Sequence, residues 1–132
     1  MAGTCDDPYG PSVSTPAQLL TDRLKRSLTS AMRQRDRESA AVLRALIAAV
    51  EHAGAVPLEQ VAADAGEVSR REPDVEELDA LLSAELDERS TAAEEYRSLG
   101  QADAADRMDR EASTIRAWIP VAAVLAGPAD DG

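Results

Sequence analysis

Apolar residues recur at spacings of three and four along four stretches of the chain, the period of a helix with one buried face. The first stretch carries Leu20, Leu24, Leu28 and then Ala31 or Met32. Ahead of it, Thr15-Pro16-Ala17-Gln18 offers an N-cap hydroxyl, a proline at the first helical position and a glutamine placed to close a capping box. The run Arg33-Gln34-Arg35-Asp36-Arg37-Glu38 interrupts the apolar series, and Asp36 is suited to cap a second helix. That helix buries Val42 or Leu43, then Leu46, Ile47 and Val50, and Gly54 and Pro57 end it. A third helix begins at Asp74, with Glu77 three residues on. Its apolar series is Val75, Leu78, Leu82, Leu86, Ala92 or Ala93, Tyr96 and Leu99, stopped by Gly100. A fourth runs from about Asp103 to Trp118, with Ala105, Met108, Ala112, Ile115 and Ile119 inward and Pro120 at its end.

Four amphipathic segments with short connections predict an all-α fold, an antiparallel bundle of about four helices. Burying one leucine contributes roughly 1.5–3 kcal/mol, so each apolar stripe needs its neighbours. The helical domain spans residues 15–120. Residues 1–14 hold Gly3, Pro8, Gly10 and Pro11 among polar residues and read as a disordered leader. Residues 55–73 form a connector with weak periodicity, with a short helical turn around Leu58–Ala63. Residues 121–132 read as a short C-terminal tail, frayed from Gly127 onward.

Composition supports the helical reading. Aromatic residues are only Tyr9, Tyr96 and Trp118, and phenylalanine is absent. A core of Leu, Ile, Val, Ala and Met suits helix-on-helix packing better than strands, which favour β-branched and aromatic residues. The length of 132 residues suits one domain. Cys5 has no partner for an internal disulfide. The leader lacks the apolar stretch of a signal peptide, and no window has the length of a spanning helix. The expected location is the cytoplasm, with no membrane partner.

The net charge is −11 and the pI about 4.4, which opposes nonspecific association with polyanions. The charge is segregated, however. Half of the 14 basic residues are Arg23, Lys25, Arg26, Arg33, Arg35, Arg37 and Arg44. From Glu59 to Glu95 there are thirteen acids against Arg70, Arg71 and Arg89. The basic hairpin fits either of two roles. It meets phosphate, with RNA as the partner, or it complements the acidic helices of its own bundle. Aromatic side chains for stacking on bases are missing, since Tyr96 and Trp118 sit at apolar-face positions and read as core.

Catalytic chemistry has little to draw on. His52 is the single histidine and sits near a helix C-terminus, where an imidazolium complements the dipole. Cys5 has no surroundings to lower its pKa. Glu76-Glu77 and Glu94-Glu95 are sequence neighbours, which point about 100° apart on a helix and read as solvated faces. No zinc-type ligand spacing and no glycine-rich phosphate loop occur. No catalytic residue, metal or cofactor is expected.

With the segments in place, the chain resembles the GatB/YqeY family. The residues that carry the resemblance are Leu24 to Asp36, with its Ala31-Met32 pair and closing aspartate, and Val42-Leu43-Arg44-Ala45-Leu46-Ile47. Further on come Glu88-Arg89, Ala93-Glu94-Glu95-Tyr96, Gly100-Gln101-Ala102-Asp103, Glu111 and Trp118-Ile119-Pro120. The similarity runs from about Leu19 to Pro120. Gln101 departs from it, standing where the family usually has arginine. The resemblance implies a helical amino-terminal subdomain followed by a smaller helical one, most of which the tail is too short to form. The family includes stand-alone proteins and the carboxyl end of the B subunit of a tRNA amidotransferase, where the domain is thought to engage tRNA.

The resemblance therefore implies a non-catalytic accessory factor in tRNA or aminoacyl-tRNA metabolism, with tRNA or a translation or aminoacylation complex as partner. Contact with RNA falls to the seven basic residues of the hairpin. The alternative is a protein-interaction module without RNA binding, using an apolar patch of Ile119, Val121, Val124 and Leu125. The resemblance also brings the amidotransferase activity, carbon–nitrogen ligation with glutamine as amido donor. The sequence supplies no residues to perform it.

Overall fold

A computed structural model describes residues 14–54 and 72–127. The helices are α1 (Pro16–Arg33), α2 (Arg37–Ala53), α3 (Val75–Ser98), α4 (Ala102–Arg116) and α5 (Val121–Ala126). Among the described residues there is no strand. The all-α bundle expected from the apolar periodicity is what forms, with one helix more among the described residues than the four expected. The leader up to residue 13, the helical turn expected at 58–63 and residues 128–132 lie outside the described residues.

Side chains start three of the helices. The Thr15 hydroxyl accepts from the Gln18 N–H at 3.1 Å, and the Gln18 side chain accepts from the Thr15 N–H at 3.1 Å. Asp74 and Glu77 form the same reciprocal box on α3, at 2.8 and 2.9 Å. Asp36 accepts from the Ser39 N–H at 3.1 Å and opens α2. Each contact satisfies N–H groups that a helix leaves without intrahelical partners.

Both hairpins turn in the same way. After α1, the Asp36 N–H donates to the Ala31 carbonyl (2.8 Å) and the Arg35 N–H to the Met32 carbonyl (3.1 Å). After α3, the Gln101 N–H donates to the Tyr96 carbonyl (2.8 Å) and the Gly100 N–H to the Arg97 carbonyl (3.1 Å). This nested pair of bonds needs a left-handed residue between the helices. Gly100 supplies it with φ 76°, and Arg35 supplies it with φ 59°. Asp36 then serves twice, closing α1 with its backbone and opening α2 with its side chain.

Helices α1 and α2 pack as one hairpin and α3 and α4 as another. Helix α2 lies against both α3 and α4, and α5 bridges α1 and α3. The core is aliphatic: Leu20, Leu24, Leu46, Val50, Leu78, Leu82, Ile115 and Val121 are fully buried. Ala93, Ala105 and Ala112 are also buried, and their small side chains let α3 and α4 approach closely. No polar or charged side chain is buried among the described residues.

Several expected core positions differ. Ala31 is buried and Met32 is 53% exposed, because only one of two neighbours can face α2. Leu99 is 67% exposed, since it caps α3 where the chain leaves the packed face. Tyr96, Met108 and Trp118 are half-buried rather than enclosed.

The larger difference is α5, where the sequence reads as a tail. Six residues are too few to hold a helix alone, and neighbouring helices hold both its ends. The Asp79 carboxylate on α3 accepts from the Val121 N–H at 2.7 Å. The Arg23 guanidinium on α1 donates to the carbonyls of Val124 (2.8 Å), Gly127 (3.0 Å) and Leu125 (3.4 Å). A carboxylate thus meets the positive end of the helix and a cation its negative end. Arg23→Ala is expected to lower the opening free energy of α5 by about 1.5–3 kcal/mol, the range for hydrogen bonds to a charged group. Hydrogen exchange checks this: protection should fall at the amides of α5 and persist at Leu46 and Leu82.

Ion pairs tie the helices at the surface. The Arg110 guanidinium forks onto the Glu38 carboxylate with two bonds of 2.9 Å, joining α4 to the start of α2. The bond from Arg110 holds the Glu38 carboxyl below the usual carboxylate range, and the Ser39 backbone N–H does the same for Asp36. Carboxyls with depressed folded pKa values bind fewer protons folded than unfolded. They stabilise the fold fully above the ordinary carboxylate range, about pH 4, and cease to do so as pH falls through their lowered values. Thermal midpoints should therefore decline below about pH 4. Glu38→Gln should lower the neutral-pH midpoint and flatten the decline; an unchanged acid profile would rule out this pair as a source.

Candidate nucleic-acid interface

The seven cations of the basic hairpin meet different fates. Arg23 is half-buried and holds the carbonyl end of α5. Lys25 is exposed and lies 3.5 Å from the Glu51 carboxylate on α2. Arg26 is exposed on α1. The remaining four gather at the turn. Arg33 ends α1, Arg35 is the left-handed residue, and Arg37 begins α2. Arg44, two turns further along α2, places its Nη2 3.7 Å from the Met32 sulfur. That contact brings its head group back to the last turn of α1.

Arg33, Arg35, Arg37 and Arg44 are all exposed, and none forms an ion pair with another described residue. Arg116, at the end of α4, is likewise exposed, but four arginines of α3 and α4 behave otherwise. Arg89 reaches Glu85 at 2.6 Å and Glu111 at 3.3 Å. Arg97 pairs with Asp109 and Asp106, Arg107 with Glu111, and Arg110 with Glu38. Carboxylates are abundant in this chain, yet none among the described residues pairs with the turn arginines. Four cations and the single Asp36 carboxylate leave this turn with a local excess of positive charge, which an anion would complement. Of the seven basic residues of the hairpin, those without an ion pair to another described residue and placed at the turn are these four.

The pairing of Arg89 with Glu111 also explains residues that sequence reasoning noticed without assigning a role. These two belong to the stretches that carry the family resemblance, and together they bind α3 to α4. Burial lowers the Arg89 pKa, but the bonds to Glu85 and Glu111 outweigh it and hold the group above its ordinary value. The Glu38–Arg110 bridge spans 72 residues and had no local signal. By contrast, Arg107 and Glu111 stand four apart on one helix, a spacing visible in the sequence.

Other surfaces offer less. A shallow depression is lined by Ala53, Pro73, Glu77, Ala80 and Leu81, and its one carboxylate is engaged in the α3 capping box. Among the described residues, no group of three or more His, Cys, Asp or Glu is arranged to hold a metal ion. No described helix is long and apolar enough to cross a membrane. Of the apolar residues expected as a patch, Ile119, Val124 and Leu125 are half-buried and only partly open to solvent. Val121 is fully buried, and Ile119 and Leu125 pack against the core, because α5 docks through Asp79 and Arg23.

No curated protein and no solved structure matches the chain. The family model described as Yqey-like protein matches residues 21–124, from α1 into the last turn of α5. The chain therefore belongs to the YqeY-like protein family.

Proposed function

We propose that this protein is a non-catalytic accessory domain of tRNA metabolism that contacts the RNA backbone through the α1–α2 turn. The observation that carries this reading is the convergence of Arg33, Arg35, Arg37 and Arg44 without carboxylate partners among the described residues. Arginine suits phosphate because its planar fork donates two parallel hydrogen bonds. The described aromatic side chains, Tyr96 and Trp118, are half-buried away from the turn, which favours contact with phosphate over stacking on bases. The choice of tRNA within the RNA class rests on the resemblance to the carboxyl end of the amidotransferase B subunit. The non-catalytic reading is supported by the work its polar side chains already do: Asp36, Asp74, Glu77 and Asp79 cap helices, and Glu38, Glu85 and Glu111 hold arginines.

The overall charge of −11 repels a polyanion at long range, but the Debye length is about 8 Å at physiological salt. Contact at one turn is then governed by local charge. Titration of the full chain with tRNA from low to moderate salt checks the reading. Three or four phosphate contacts give a log–log salt slope of about −2 to −4. Charge reversal of Arg33, Arg35 and Arg37 together should abolish binding while leaving the helical circular dichroism intact. Absent binding at low salt, or binding indifferent to the reversal, would contradict it.

A further inference from the structure

The two hairpin turns share one hydrogen-bond pattern, yet they differ at the residue that must be left-handed. The α3–α4 turn uses Gly100 at φ 76°, and the α1–α2 turn uses Arg35 at φ 59°. Glycine adopts this conformation freely, whereas a side chain brings Cβ against the following carbonyl. The turn itself does not require arginine. Arg35 is exposed, and its side chain makes no hydrogen bond or ion pair among the described residues that would offset its backbone cost. Arg33 and Arg37 stand two residues away on either side, with the Asp36 carboxylate between Arg35 and Arg37. A position where the fold is better served by glycine, filled by a cation among cations, points to a demand from outside the molecule.

We propose that Arg35 is the turn's central phosphate-contacting residue, kept at the expense of stability in the conformation that glycine would otherwise occupy. This rests on the reading of the α1–α2 turn as an RNA surface, and it adds a trade-off to that reading. Within the turn, Arg35 is the one residue whose replacement should improve the fold and impair binding together. Arg33 and Arg37 lie within helices and carry no such tension.

The experiment compares the full-length chain with its Arg35→Gly and Arg35→Lys variants. Thermal midpoints are measured alongside tRNA affinity at several salt concentrations. Arg35→Gly should raise the midpoint by a few degrees, since about 1 kcal/mol moves a domain of this size by several degrees. The same variant should bind about tenfold more weakly at 50 mM salt, and its salt slope should shrink by about 1, as for one lost phosphate contact. Arg35→Lys should restore much of the slope without the gain in midpoint. Arg35→Gly binding with unchanged affinity and slope would overturn the contact, and a lowered midpoint would overturn the trade-off. If the unmodified chain shows no salt-dependent binding at all, the RNA reading itself fails and this inference with it. That result is distinct from wild-type binding that survives Arg35→Gly.

Discussion

The structure depends on a core with almost nothing aromatic in it. Leu20, Leu24, Leu46, Leu78, Leu82 and Ile115 fill it, with alanines along the α3–α4 seam. Aliphatic side chains of modest size fill space at protein density only when helices run close together. Close antiparallel helices need tight turns, and both hairpins meet that need with one left-handed residue and the same two nested hydrogen bonds. The core also admits no charge among the described residues. Every described Arg, Asp and Glu must therefore find its place at the surface. Some pairs, such as Arg110–Glu38 and Arg89–Glu111, stitch helices together; the arginines left without ion pairs at the α1–α2 turn define the candidate interface.

The short helix α5 shows how far this surface chemistry reaches. It brings Val121 into the core but cannot sustain itself at six residues. Asp79 and Arg23 hold its two ends from two different helices. This docking partly covers the apolar residues that a tail would have left exposed, and it commits one of the basic residues to a structural task. A single local arrangement thus weakens the case for a protein-docking patch and concentrates the case for RNA at the opposite end of α1.

Much of the fold was legible because its signals are local. The capping boxes at Thr15 and Asp74, the cap at Asp36 and the stop at Gly100 each involve residues within a few positions of one another. The inward faces of α1 and α2 follow from spacing alone. The seven basic residues were equally visible, but their sorting was not. Arg23 finds its carbonyls about a hundred residues away, and Arg110 finds Glu38 across 72. No periodicity reports such pairs. Nor does it report that α5 is a helix, since a stretch of six apolar residues after a proline reads equally well as a tail. The left-handed Arg35 was hidden for a further reason: glycine is the usual mark of such a turn, and here it is missing.

The central claim is that unpaired cations at the α1–α2 turn form the site where this YqeY-like protein meets RNA. The most direct measurement is a proton–nitrogen correlation spectrum of the labelled chain, including the arginine side-chain Nε–Hε signals, titrated with tRNA at low salt. The account predicts shifts at Arg33, Arg35, Arg37 and Arg44 and in the backbone around Met32, with Arg23, Arg89 and the amides of α5 unmoved. Shifts centred on α3 or α5, or none at any position, would contradict it.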